Sequence, residues 1–230
     1  MVFVKSRCMA YIKKVLGTCF FLYTAGCLGA QSVSPANSRI ISEGILHYKV
    51  NLTSADAALQ KAFDSTTQKI YLKGNLVRVD FENTLRNQTT LYKGASASGL
   101  VLKTSGGESY VTPLDSTAYA AYHAPFANLV WQKTGDTATI NALFCYLYNG
   151  SNANGFEVTL WLHSGILLFT NSFHPLFEGL TGLPVQYSYK SGNDTVIYTL
   201  QKIENSPVVQ SFFEINEVDT RIIEFKAPKN

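Results

Sequence analysis

Ile70-Tyr71-Leu72-Lys73-Gly74-Asn75-Leu76-Val77-Arg78-Val79-Asp80-Phe81-Glu82 decides how this chain is read. Lys73-Gly74-Asn75 is a turn signal between two short runs rich in β-branched and aromatic residues. In the second run Val77, Val79 and Phe81 alternate with Arg78, Asp80 and Glu82. Successive side chains of a strand point to opposite faces, so this period of two predicts a hairpin with one apolar and one polar face.

The same pattern extends both ways. Upstream, Leu46, Tyr48, Val50 and Leu52 share a face opposite His47, Lys49 and Asn51. Between the two, Ala55, Ala58, Leu59, Ala62 and Phe63 recur at helical spacing, which predicts one short helix with Ser54 as its cap. Downstream, Thr89 to Lys93, Leu100 to Thr104 and Ser109 to Thr112 are strands separated by glycines. Thr139 to Tyr148 and Phe156 to His163 form a long hairpin around residues 149–155. Val185 to Tyr189 and Val196 to Ile203 form another, and Val208 to Ile215 and Arg221 to Phe225 are further strands. About ten short strands with hardly any helix make the chain mainly β, an antiparallel sandwich, barrel or half-barrel.

Gly165 to Leu183 departs from the pattern. Ile166, Leu167, Leu168, Phe169, Phe173, Leu176, Phe177 and Leu180 are apolar without a clean period and are interrupted by Pro175 and glycines. Such a stretch must cover apolar surface, either as a crossover packed in the core or as a lid over an apolar cavity.

The first thirty residues read as a secretory signal peptide. Lys5, Arg7, Lys13 and Lys14 precede an apolar run from Val15 to Leu22 and the small-residue segment Thr24 to Ala30. The run from Val15 to Ala30 falls short of the ~20 apolar residues of a membrane-spanning helix. Cleavage after Ala30 releases a soluble protein; acylation at Cys27, which follows Thr24-Ala25-Gly26, anchors it. Residues 31–40 form a flexible lead-in with Pro35 and Asn37, and 41–230 a single β-rich domain. The whole chain has a formal charge of +3, but the four leader cations removed leave fifteen basic against sixteen acidic side chains, or −1. A near-neutral body without a basic cluster argues against nucleic acid and against electrostatic docking on anionic lipid. Cys8 and Cys19 leave with the leader, so a disulfide framework is not expected.

No constellation for chemistry stands out. His47, His123, His163 and His174 have no metal-ligand spacing, and no GxSxG or phosphate-cradling loop is present. Cys145, between Phe144 and Tyr146, reads as a small apolar strand residue without a paired base. No catalytic residue, metal or cofactor is therefore expected. The triplets that begin at Asp64, Asp115, Asp136 and Asp194 resemble a bacterial O-glycosylation signal or, in the simpler reading, turns and helix caps.

From Trp131 onward the chain resembles the GLPGLI-type exported envelope proteins of Gram-negative bacteria, which are similar in fold to the lipoprotein carriers (LolA-like). The residues that carry the resemblance are Thr139-Ile140-Asn141-Ala142-Leu143-Phe144-Cys145, Glu157-Val158-Thr159-Leu160-Trp161 and Gly179-Leu180-Thr181-Gly182-Leu183-Pro184-Val185, with the hairpin at 70–81 upstream. The family's glycine near Asn141 or Ala142 and its threonine near His163 are missing. The resemblance implies a strongly curved antiparallel sheet, an open half-barrel with one or two short helices and a lid-like loop on its concave face. It also implies a protein of the periplasm, outer membrane or cell surface that takes up a lipid or a lipoprotein acyl chain. The apolar candidates for that cavity are Val77, Val79, Phe81, Phe156, Leu160, Phe169, Phe173 and Phe177. The alternative is a structural or adhesive envelope component with a packed interior, whose partners are other envelope proteins; an enzyme is the third reading.

Overall fold

The computed structural model describes residues 38–171, 174–215 and 220–226; the leader with Cys27, most of the lead-in and Phe173 lie outside them. Fourteen strands are described: β1 (Arg39–Ile41), β2 (Glu43–Thr53), β3 (Thr67–Lys73), β4 (Leu76–Glu82), β5 (Asn87–Lys93), β6 (Ser98–Ser105), β7 (Glu108–Leu114), β8 (Val130–Ile140), β9 (Leu143–Ser151), β10 (Glu157–His163), β11 (Ile166–Leu168), β12 (Leu183–Ser191), β13 (Asp194–Glu204) and β14 (Arg221–Ile222). The helices are α1 (Ala57–Ala62) and α2 (Ser116–His123).

Twelve of the strands form one sheet in the order β14-β7-β6-β5-β4-β3-β2-β13-β12-β10-β9-β8. Its pairings are antiparallel except β14 with β7, and its two edges, β14 and β8, do not pair, so the sheet is open. β1 pairs in parallel with β11 outside it. The sheet curves around one core, in which Leu46, Val50, Val77 and Val101 from one half meet Leu160, Val185 and Leu200 from the other. This is the mainly β, open, curved antiparallel sheet that the alternation and the family resemblance predict. Among the described residues no helix is long and apolar enough to cross a membrane.

The hairpin at 70–82 forms as read. Gly74 takes φ +56 in the two-residue loop, and Lys73 faces Leu76 across it. Three expected elements differ. Thr139 to Tyr148 is not one strand, because Asn141 and Ala142 both take positive φ, 49° and 64°, and turn β8 into β9. Asn tolerates that conformation, and the Asn141 amide donates to the Leu200 carbonyl. The cap of α1 is Asp56 rather than Ser54: its carboxylate accepts from the amides of Ala58 and Leu59 at 2.9 and 3.1 Å, while the Ser54 hydroxyl accepts from the amide of Asp56. Val208 to Ile215 is not a strand. It makes a 3-10 turn, Gln210–Phe213, and lies flat on the polar face of the hairpin instead of pairing at an edge.

That segment explains why the outward side of β4 is half-buried. Val208 and Phe213 pack with Tyr71. Glu43 accepts from the Val208 amide at 2.8 Å, and Lys73 donates to Glu43 and to the Val208 carbonyl. Arg78 donates to the Phe212 carbonyl and to Asp80, which Thr89 also reaches. Asp80 is only 8% exposed and survives burial because it is both paired and hydrogen-bonded.

Gly99 on β6 marks the tightest approach within the sheet. A Cβ there would lie 2.1 Å from the Leu91 carbonyl oxygen and 3.3 Å from the Tyr119 ring. Gly99→Ala must push β6 from β5, and overpacking of this kind costs about 2 kcal/mol. Urea unfolding should show the corresponding drop in midpoint; an unchanged midpoint would mean that the strands do not approach so closely.

Candidate functional site: a cavity on the concave face

The concave face of β2–β6 is built in cross-strand rows that differ in depth. In the lowest, Leu72, Val77, Tyr92 and Gly99 stand side by side, and the first three are buried. Tyr119 of α2 presses on this row, with its ring centroid 4.9 Å from that of Tyr92. The next row is Ile70, Val79, Thr90 and Val101, and the one above it Gln68, Phe81, Gln88 and Lys103. Val79 and Thr90, and the whole upper row, line a cavity of about 710 Å³. The face is thus packed at one end and hollow at the other.

Two short helices and a loop shape the hollow end. α1 contributes Leu59 and Phe63, the latter edge-on to Phe81 at 6.4 Å. The β4–β5 turn contributes Arg86, held by the Asn83 carboxamide oxygen, which accepts from the amides of Leu85 and Arg86. The Arg86 guanidinium lies over the Phe81 ring, 5.8 Å from its centroid. Leu52, Val196, Tyr189 and Tyr198 close the side formed by β2, β12 and β13. The cavity walls are therefore mixed: apolar and aromatic side chains stand beside Gln68, Asn83, Gln88, Thr90 and the carboxylate of Asp194, and two cations, Arg86 and Lys103, both exposed, also line it. Among the described residues neither forms an ion pair.

α2 supplies the most unusual group. Asp115 caps it, accepting from the Ala118 amide at 2.8 Å, which bears out the cap reading of that triplet. Tyr119 and His123 stand four residues apart on one helical face, and both are buried. His123 lines the cavity, is 5% exposed, and neither of its ring nitrogens has a hydrogen-bond partner among the described residues. His174 comes from the 165–183 segment and meets it, ring centroids 5.1 Å apart. The Nδ1 of His174 accepts from the Leu176 amide at 3.2 Å and so caps the turn Pro175–Phe177. Burial pushes His123 down to about 4; burial and then the neighbouring His123 push His174 down to about 3. Both rings are neutral at pH 7.

The sequence-derived candidates fall in different places. Val79 and Phe81 line the cavity. Val77 and Leu160 are 0% exposed in the packed core. Phe156 packs against Phe126 and Tyr189, whose rings reach the cavity from behind. Phe177 lies deeper, beside a gap of about 40 Å³ under His174. Phe169 is 55% exposed and points away from the core. In the 165–183 segment Leu168, Leu176, Phe177 and Leu183 are buried as core, as the crossover reading expects, and His174 borders the cavity.

No family model and no curated protein matches the chain. Among solved structures it is similar to PNGF-II in two crystal forms. One matches at 11% identity and TM-score 0.45 over 80% of this chain and 32% of that one. The other matches at 9% and 0.46 over 79% and 31%. The chain spans about a third of the length of PNGF-II. It is also similar to the lipoprotein LppX of Mycobacterium tuberculosis, at 13% identity and TM-score 0.36 over 73% of this chain and 89% of that one.

Sequence reasoning did not find His123, His174, Arg86 or Lys103. The signal for His123 was present in Asp115 followed by an alanine-rich run with Tyr119 and His123 at helical spacing. Nothing local in the sequence joins His174 to it.

Proposed function

We propose that this protein is a non-enzymatic binder of a lipid acyl chain, exported to the envelope, and that the chain lies in the cavity between α1, α2 and β2–β6. The observation that carries the reading is the hollow end of the concave face, about 710 Å³ with Leu52, Leu59, Phe63, Val79 and Phe81 as walls. That volume falls in the ~300–1,000 Å³ range of small-molecule sites, and every methylene placed there gains about 0.8 kcal/mol. Arg86 and Lys103 give the chain a direction, with an acidic headgroup beside them and the tail toward His123. The structural or adhesive alternative requires a packed interior; Ile70 and Val101 of the middle row are buried like the lowest row, and what favours a binder is that Val79, Thr90 and the upper row border open space. Cys145 suits a binder better than a catalyst, since burial pushes its thiol up to about 11 and leaves it a poor nucleophile.

Protein purified from a Gram-negative envelope should carry close to one acyl-chain lipid per chain by native mass spectrometry. Lipid-free protein that, after a delipidation step, also fails to take up a fluorescent fatty acid would overturn the proposal.

A further inference from the structure

The sheet has another hollow, on the side turned away from the core. Thr159 alternates with Val158 and Leu160, both buried, and so faces outward. The strand register sets Gln132, Asn149, Thr159 and Ser188 side by side on β8, β9, β10 and β12. The adjoining row on the same face holds Val130, Ser151 and Glu157, with Lys190 beside Thr195 further along. The two rows line a groove of about 530 Å³.

The polar side chains of these rows are unspent. Among the described residues none of them has a hydrogen-bond or ion-pair partner, Glu157 and Lys190 included. Elsewhere on the outward side such groups are used within the protein. Gln186 donates to Thr199 at 3.0 Å, and both Arg78 and Thr89 donate to Asp80.

We propose that this groove binds a neutral oligosaccharide, at a site separate from the acyl-chain cavity. Amides and hydroxyls both donate and accept, as sugar hydroxyls do, so each group in the row suits a sugar in either sense. Neighbouring strands stand ~4.8 Å apart, close to the width of one sugar ring, so the row offers a repeated set of contacts to a linear chain. The other classes of ligand fit poorly. One lysine balanced by one glutamate gives no attraction for a polyanion. Protein interfaces centre on aromatic, methionine or arginine anchors, whereas the centre of this groove is Asn149 and Thr159 and its one large apolar side chain is Val130. An acyl chain would find no apolar wall.

The test is calorimetric titration of the protein with linear hexasaccharides of glucose, mannose and N-acetylglucosamine. At least one should bind at one per chain with a Kd below about 1 mM. Gln132→Ala and Asn149→Ala should each weaken it about fivefold, the effect of losing one hydrogen bond exchanged against water. Both side chains are exposed, so the urea midpoint of each variant should stay where it is. Failure of all three sugars to bind, or an affinity unchanged in the folded variants, would overturn the inference. So would self-association of the unmodified protein that either variant abolishes, since a second copy would then fill the groove. The result is independent of fatty-acid uptake, which concerns the opposite face.

Discussion

Taking the protein from pH 7 to pH 5 is expected to cost it about 2 kcal/mol of stability for each of His123 and His174. Both imidazoles are held neutral by burial, with folded values of about 4 and 3 against an ordinary value of 6.5. As the pH falls below 6.5 the unfolded chain takes up two protons that the folded protein refuses. Stability is therefore complete above pH 6.5 and is lost progressively until the folded values are reached. The other groups with acid-side shifts are separable. Glu43 and Glu204 are lowered chiefly by hydrogen bonds from Lys73 and Lys202, and they start from 4.5, so they scarcely titrate in this window. Urea unfolding at several pH values should show the midpoint falling steeply from pH 7 to 5. In His123→Phe roughly half of that slope should disappear, and an unchanged slope would mean that the ring is hydrated in the folded state.

The fold was legible because it rests on local rules. The period of two in β2, β4 and β10, and the turn at Gly74, are properties of short segments, and the structure repeats them. The break at Asn141-Ala142 was missed because apolar residues continue on both sides of it and only backbone φ marks the turn. The 208–215 segment was misread for a related reason: its apolar residues satisfy the outer face of another hairpin, which composition cannot distinguish from pairing at an edge.

The site was legible only in part, and the limit is one of depth. Alternation places Val77, Val79 and Phe81 on one face and treats them alike. In the structure Val77 is sealed by Tyr92 and α2, whereas Val79 and Phe81 stand in rows that α2 does not cover to the same extent. How deep a strand residue lies depends on what a distant helix places over it. The pairing of His123 with His174, fifty-one positions apart in the chain (174 − 123), has the same origin.

Filling the middle row gives the second large effect. Val79 and Thr90 stand directly opposite each other on β4 and β5, and both border the cavity. Val79→Trp with Thr90→Trp places two indoles where the chain is proposed to lie, while Val77, Tyr92 and the salt-bridged Arg78 and Asp80 on the opposite face are left alone. Excluding three methylenes forfeits about 2.4 kcal/mol at ~0.8 kcal/mol each, a loss of about 60-fold in affinity. The added rings enter open space, so the urea midpoint should move little.

Titration of delipidated protein and of this double variant with the same fluorescent fatty acid is the most direct measurement of whether the concave face holds an acyl chain. The cavity account predicts saturable binding of one probe per chain in the unmodified protein and about 60-fold weaker binding in the variant. Equal affinity in a folded variant would place the chain elsewhere and contradict it.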